Sequence, residues 1–239
     1  MKKWSTLPGI KRLDHLFLRS KFYLLQRHRH NHLVLERIVG RPLLILPEVM
    51  NPKLFRTGEL LVRTLNSQLI PRGSKVLDMG TGSGIGAVFA AEWAARVIAV
   101  DVNPAAVRCA KINALLNDLE HKIEVLHGHL FEPLIDDKFD VVLFNPPYYK
   151  GQPKNNFESA IWGEGVIESF ALKLPKHLQP KGKALVVLSN CADLAKIKGE
   201  FQENGLALKT IAEQHYLNET LFIWSLSHRV PVPNENVPI

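Results

Sequence analysis

Lys75-Val76-Leu77-Asp78-Met79-Gly80-Thr81-Gly82-Ser83-Gly84-Ile85 decides the fold. Lys75–Met79 is a short apolar run of strand length. Three alternating glycines follow, which lets the chain turn sharply and lets its backbone approach a bound molecule without side-chain obstruction. Ile85–Ala95 is then a small-residue stretch of helical character, whose first N–H groups would be left unpaired at the turn. Strand, glycine turn and helix in that order are the opening of a βαβ unit.

Working outward, the alternation continues. Val97–Val102 reads as a strand, and Pro104 opens a helix running to about Asp118. Ile123–Leu126, Val141–Phe144 and Ala184–Ser189 read as strands. Val166–Leu178 reads as a helix stopped near Pro180-Lys181-Gly182. Asp193–Asn204 reads as a helix with Asp193 at its cap and Gly205 at its end. Two last strands, near Leu208–Glu213 and Thr220–Ser227, have no helix between them and predict an antiparallel hairpin. Strands alternating with helices imply right-handed crossovers and a mostly parallel sheet with helices on both faces. Upstream, Leu54–Leu69 has helical periodicity and closes at Pro71-Arg72-Gly73, while residues 37–51 are proline-punctuated and extended. Residues 1–36 read as a basic helical segment, with Leu13, Leu16, Phe17, Leu24 and Leu25 on one face. The expected division is a basic, partly helical appendage over 1–45, an α/β domain over 46–228 and a flexible tail over 229–239.

Composition narrows the function. With 239 residues, 46% of them hydrophobic, the chain suits one α/β domain that needs no disulfides to fold. Its two cysteines, Cys109 and Cys191, lack partners at metal-ligand spacing, and a reducing, cytoplasmic compartment is expected. No apolar run reaches membrane length, so no membrane is expected among the partners, and without ligand spacing around the cysteines no metal is expected either. The run Arg27-His28-Arg29-His30-Asn31-His32 reads as a solvated basic face rather than a metal site, because no carboxylate or thiol accompanies it. The net charge of +7 is concentrated: residues 1–45 hold ten Lys/Arg against Asp14 and Glu36. That asymmetry points to an anionic partner such as RNA or a ribonucleoprotein; a solubilising arm is the plainer alternative.

Asp101 closes the strand after the glycine helix, 21 residues beyond Gly80, where a carboxylate can accept ribose hydroxyls. On this stretch alone a methyl-donor site, a dinucleotide site and a purely structural turn all stay open, although Ile85 occupies the position where the dinucleotide pattern wants a glycine. A second loop, Asn145-Pro146-Pro147-Tyr148, follows the strand Val141–Phe144 at the edge where open α/β sheets bind ligands. Each proline fixes its own φ and holds the residue before it extended, so the carbonyls of this loop are rigidly aimed.

Together these motifs resemble class I S-adenosylmethionine-dependent methyltransferases of the Asn-Pro-Pro-Tyr amino-methyltransferase group, among them the HemK-type protein (glutamine) N-methyltransferases. The group also contains N6-adenine methyltransferases acting on RNA or DNA. The resemblance covers about residues 45–228. It implies a Rossmann-like, mostly parallel seven-stranded sheet with helices on both faces and a C-terminal antiparallel hairpin. It implies S-adenosyl-L-methionine as cofactor, held by Asp78, Gly80, Gly82, Gly84, Asp101, Val102, His129, Leu130 and Asn145. It makes Asn145, Pro146 and Tyr148 the catalytic set and Pro147, Tyr148 and Trp162 the acceptor contacts. The Asn145 side-chain oxygen and the Pro146 carbonyl would accept the two N–H groups of a planar amide or amine, and the Tyr148 ring would stack on it. His129 stands where the group usually has Asp; a neutral imidazole nitrogen can still accept a hydrogen bond from an adenine amino group. Thr57 and Glu59, within Leu54-Phe55-Arg56-Thr57-Gly58-Glu59-Leu60-Leu61, match a segment whose polar residues approach the donor's carboxylate and the acceptor pocket; surface capping is the alternative. The resemblance implies a macromolecular acceptor, first a protein glutamine side chain and alternatively the N6 amino group of adenine in RNA or DNA, and the basic segment leaves a ribosomal association open.

Overall fold

The computed structural model describes residues 32–147, 163, 165–217 and 219–229. The basic segment 1–31, the tail 230–239, Tyr148 and Trp162 lie outside the described residues.

The first described elements are a two-stranded antiparallel hairpin, β1 (Val34–Ile38) and β2 (Arg41–Ile45). Next come helix α1 (Arg56–Thr64), strand β3 (Lys75–Met79), helix α2 (Ile85–Ala90), strand β4 (Arg96–Asp101) and helix α3 (Pro104–Leu116). Strands β5 (Ile123–His127) and β6 (Phe139–Phe144) follow, then helix α4 (Val166–His177), strand β7 (Leu178–Ser189), helix α5 (Leu194–Glu203), and strands β8 (Leu206–His215) and β9 (Thr220–His228). The main sheet has seven strands in the order β5-β4-β3-β6-β7-β9-β8. From β5 to β7 they are parallel; β9 lies antiparallel between β7 and β8. This is the class I methyltransferase arrangement expected from the sequence, C-terminal hairpin included.

Alternation along the strands divides the core. Val97 and Ala99 of β4 pack towards α1, α2 and α3, with Leu61, Val88 and Ala110. Ile98 and Val100 point the other way, towards α4 and α5, with Phe170, Leu174 and Phe201. Parallel strands buried on both faces read as continuous apolar runs, as Val141-Val142-Leu143-Phe144 does.

Three local differences have identifiable causes. The helix after the glycine turn is shorter than Ile85–Ala95, ending at Ala90. Strand β7 begins at Leu178, although Pro180-Lys181-Gly182 promised a break. Leu178 pairs with Phe139 and Lys183 with Val141, so the intervening residues bulge out of the ladder. Gly182 permits the bulge: a Cβ there would lie 2.7 Å from the Phe139 carbonyl oxygen. The third difference concerns the appendage. Residues 34–36, expected to be helical, are strand, while the extended reading of the stretch from 37 holds over β2, and Ile38, Leu43 and Ile45 are buried in the core beside α3.

Buried amides tie that hairpin down. The Leu44 N–H donates to Asn113 Oδ1 at 2.7 Å, and Asn113 Nδ2 donates to the carbonyls of Leu44 and Ser83, each at 2.8 Å. Asn113 is fully buried on α3, so a single side chain joins the hairpin to the glycine turn. Asn51 Nδ2 donates to Glu36, which also pairs with Lys53 at 3.2 Å. These bonds fix the stretch between hairpin and α1.

Candidate active site

At the carboxyl ends of β3, β4 and β6 a cavity of about 480 Å³ opens. The glycine turn forms its floor. Gly80 and Gly82 have φ of +63° and +56°, a region costly for any residue with a Cβ. Both line the cavity. Gly84, expected beside them, does not. Its φ is +80°, and a Cβ would meet Ala110 Cα at 2.9 Å, so this glycine lets α2 begin tight against α3.

Asp78 organises the turn. Its carboxylate accepts hydrogen bonds from the Thr81 hydroxyl and, at 2.8 Å, from the Ala87 N–H. Burial pushes its pKa up from 3.8 to about 6; those two hydrogen bonds pull it partway back, and nearby Asp101 adds to the rise. Asp101 closes β4. Its Oδ2 accepts from the Gly82 N–H at 2.8 Å and its Oδ1 from the Asn103 N–H at 2.9 Å. Burial holds this carboxyl above its ordinary value too, against those same backbone donors. Each Asp101 oxygen retains a lone pair for a further donor. Val102, half of whose surface is exposed, borders the same wall.

The loop after β5 supplies the side wall. Leu130 is buried at φ +51°, an uncommon conformation for leucine. A Cβ on Gly128 would come within 2.7 Å of Pro133 Cδ, so the turn is pressed closed. His129 lies on the wall, partly exposed, with Nδ1 3.8 Å from Glu132.

Beside the glycine turn, at the end of the neighbouring strand β6, stand Phe144, Asn145 and Pro147, and Pro146 is buried. Asn145 Nδ2 donates to Thr57 Oγ1 on the first turn of α1, at 3.1 Å. Gly163, itself on the cavity wall, packs against the loop: a Cβ there would stand 3.0 Å from Pro147 Cβ and closer still to Cγ. The structure therefore brings Asp78, Gly80, Gly82, Asp101, Val102, His129, Leu130, Asn145 and Pro147 around one cavity. Among the described residues no group of three or more His, Cys, Asp or Glu could hold a metal ion.

Several contributors escaped the sequence reading. Thr81 brackets Asp78, and the spacing of three across a glycine turn was the available signal. Gly86 leaves room for the Asp78 carboxylate; a Cβ there would lie 2.7 Å from Cγ and 2.8 Å from Oδ2. Asn103 caps α3 by accepting from the Ala105 N–H, and its Nδ2 donates to the Glu48 carbonyl, bringing the segment before α1 over the cavity. Asn immediately before Pro at a helix start is a readable cap.

The cavity suits S-adenosylmethionine in size and chemistry. It has glycine backbone for close approach, a carboxylate for vicinal hydroxyls, and two acids, Asp78 buried and Asp101 half-buried, whose raised pKa values a cationic ligand would relieve.

Residues 51–213 match the family model described as methyltransferase small domain. A release factor glutamine methyltransferase of Geobacter sulfurreducens is 33% identical over 185 residues, covering 71% of this chain and 63% of that one. A ribosomal protein uL3 glutamine methyltransferase of Bradyrhizobium diazoefficiens is 33% identical over 122 residues, covering 45% of this chain and 38% of that one. The chain thus spans less than two thirds of either relative. A solved methyltransferase from Pyrococcus furiosus superposes with a TM-score of 0.61 at 19% identity, over 92% of this chain and 99% of that one. The matched segment runs from Asn51 beside the cavity through the glycine turn and Asn145 to the last hairpin, and the chain belongs to the methyltransferase small domain family.

Proposed function

We propose that this protein transfers a methyl group from S-adenosyl-L-methionine to the side-chain amide nitrogen of a glutamine in a protein. The observation that carries the reading is a cavity lined in common by Asp101, the glycine turn and Asn145, at the ends of three neighbouring strands. When bound, S-adenosylmethionine supplies an electrophilic methyl on a sulfonium. The chain's own work is placement. Asp101 takes the ribose hydroxyls, Gly80 and Gly82 let the backbone close on the donor, and the loop after β5 flanks the adenine with His129 and Leu130. Asn145 Oδ1 and the Pro146 carbonyl accept the N–H groups of the planar acceptor and turn its nitrogen towards the methyl. The N–C bond would form as the donor's S–C bond breaks, releasing S-adenosylhomocysteine, and one amide proton would pass to solvent, while fixed carbonyl dipoles stabilise the positive charge that grows on nitrogen. Holding both reactants in line supplies much of the remaining acceleration. Tyr148 and Trp162 complete the acceptor side in this reading, and Gly84 contributes through helix packing.

The names of the glutamine methyltransferase relatives support a protein acceptor. A second reading, N6-adenine methylation of RNA, draws on the surplus of cations in residues 1–45, which would give salt-dependent affinity for a polyanion. In both readings the acceptor is macromolecular, with the ribosome or its factors as the setting and the basic segment 1–45 as the nucleic-acid contact. The compartment is cytoplasmic, in keeping with a chain whose two cysteines, Cys109 and Cys191, form no disulfide framework in its sequence. No described helix is long and apolar enough to cross a membrane.

The deciding experiment supplies methyl-labelled donor and the protein to a cell extract, then digests with protease or with ribonuclease. Label lost to protease and resistant to ribonuclease is expected. The opposite pattern would replace glutamine with RNA, and no incorporation at all would remove the transferase reading.

A further inference from the structure

We infer that Thr57 is a positioning residue whose hydroxyl orients the Asn145 amide, so that Oδ1 rather than Nδ2 faces the acceptor. The inference rests on the transfer reading above. Thr57 and Asn145 lie 88 residues apart in sequence, one on the first turn of α1 and the other at the end of β6. Thr57 is buried, and its Oγ1 accepts from Asn145 Nδ2 at 3.1 Å.

The two ends of an asparagine amide are nearly equal in shape and opposite in chemistry. An acceptor amide offers N–H groups, so an Asn145 turned the wrong way would set donor against donor. Engaging Nδ2 elsewhere leaves Oδ1 as the end available to the cavity. Both partners are held in place by packing. Gly58, next to Thr57, lets α1 approach the preceding segment, where a Cβ would stand 3.1 Å from Pro52 Cβ. Pro147, two residues from Asn145, is wedged by Gly163. The hydroxyl therefore meets the amide at a fixed distance rather than through a mobile surface contact.

The test compares wild type with Thr57→Val, Thr57→Ser and Thr57→Ala. Transfer is measured with methyl-labelled S-adenosylmethionine and total extract protein as acceptor. S-adenosylhomocysteine binding is measured by calorimetry, and the Asn145 side-chain amide is followed by 15N NMR. Thr57→Val should lower turnover at saturating donor about tenfold, the effect of losing one well-placed hydrogen bond, while product affinity stays within about twofold. Thr57→Ser should restore most of the turnover. The Asn145 amide protons should be protected from exchange in wild type and in Thr57→Ser, and lose that protection in Thr57→Val. If Thr57→Val does not fold, Thr57→Ala gives the same readings. Unchanged turnover in the valine or alanine variant overturns the inference. Equal losses of turnover and product affinity do so too, since they would place Thr57 on the donor. Unprotected Asn145 amide protons in wild type would show the amide turned the other way. A wild type that transfers no label to protein sinks the protein-acceptor reading instead, and the exchange pattern still decides whether Thr57 orients Asn145.

Discussion

Replacing Gly86 with alanine should unlock the glycine turn. The added methyl would sit 2.7 Å from Asp78 Cγ and 2.8 Å from Oδ2, well inside contact distance. Gly86 lies in α2, all of whose residues are buried, so the helix has little room to retreat. The carboxylate must move, and with it go its hydrogen bonds from the Thr81 hydroxyl and the Ala87 N–H. Overpacking in a filled core costs about 1–3 kcal/mol. Disturbing hydrogen bonds to a charged acceptor adds about 1.5–3 kcal/mol. Allowing for partial relaxation, a net loss of about 3 kcal/mol is expected, which at this chain length lowers the melting temperature by about 6–12 °C. Because the turn also floors the cavity, product affinity should fall in the same variant. Gly199→Ala is the matched control. Gly199 lies inside α5 with nothing within 4 Å of its Cβ position, so alanine there should stabilise by up to about 1 kcal/mol. Differential scanning calorimetry of both variants, with and without S-adenosylhomocysteine, provides the measurement. A Gly86→Ala protein that melts within a degree of wild type would show that Asp78 does not bracket the turn.

The other predictions follow from the same wall. Asp101→Ala should weaken S-adenosylhomocysteine binding by at least about tenfold through lost ribose hydrogen bonds; isothermal titration checks this, and unchanged affinity would take Asp101 out of the donor site. Asn145→Ala should reduce transfer at least about a hundredfold while leaving product affinity near wild type; parallel loss of both would assign Asn145 to donor binding alone. Asp78 has a folded pKa near 6 against 3.8 for the exposed acid, so between those values the folded state binds more protons than the unfolded chain. Its contribution to stability is full below the lower value and is lost as pH rises through the upper one, by roughly 3 kcal/mol. Denaturant titrations from pH 4 to 7 should therefore show wild type losing stability relative to Asp78→Asn, and parallel profiles would contradict the burial of that charge.

The sheet was legible because its signals are local. Apolar runs such as Val97-Ile98-Ala99-Val100, glycine turns and the proline at the head of α3 act within a few residues, and they placed every strand of the main sheet. What escaped depends on distant neighbours. Nothing around Pro180-Lys181-Gly182 announces that Phe139 waits opposite to absorb a bulge. Residues 34–45 fall by sequence within the appendage although they carry only Arg37 and Arg41 against Glu36, and alternate residues find a floor on α3 that only the folded chain supplies. At the site, motif spacing located Asp101 and Asn145. It could not separate Gly82, which borders the cavity, from Gly84, which faces Ala110. Nor could it pair Asn145 with Thr57, since one hydrogen bond across that separation leaves no periodic trace.

The Asn113 tether has a practical consequence for anyone trimming this protein. A truncation starting at residue 46 would look safe on charge and homology, since the family match begins at residue 51. It would nonetheless strip the buried Asn113 amide of both of its Leu44 partners, leaving Nδ2 the Ser83 carbonyl and a long contact to Cys109 Sγ, and Oδ1 without its Leu44 donor. The damage would surface not at the cut but at the turn beneath the donor, as a shortened protein that folds and handles its ligand poorly.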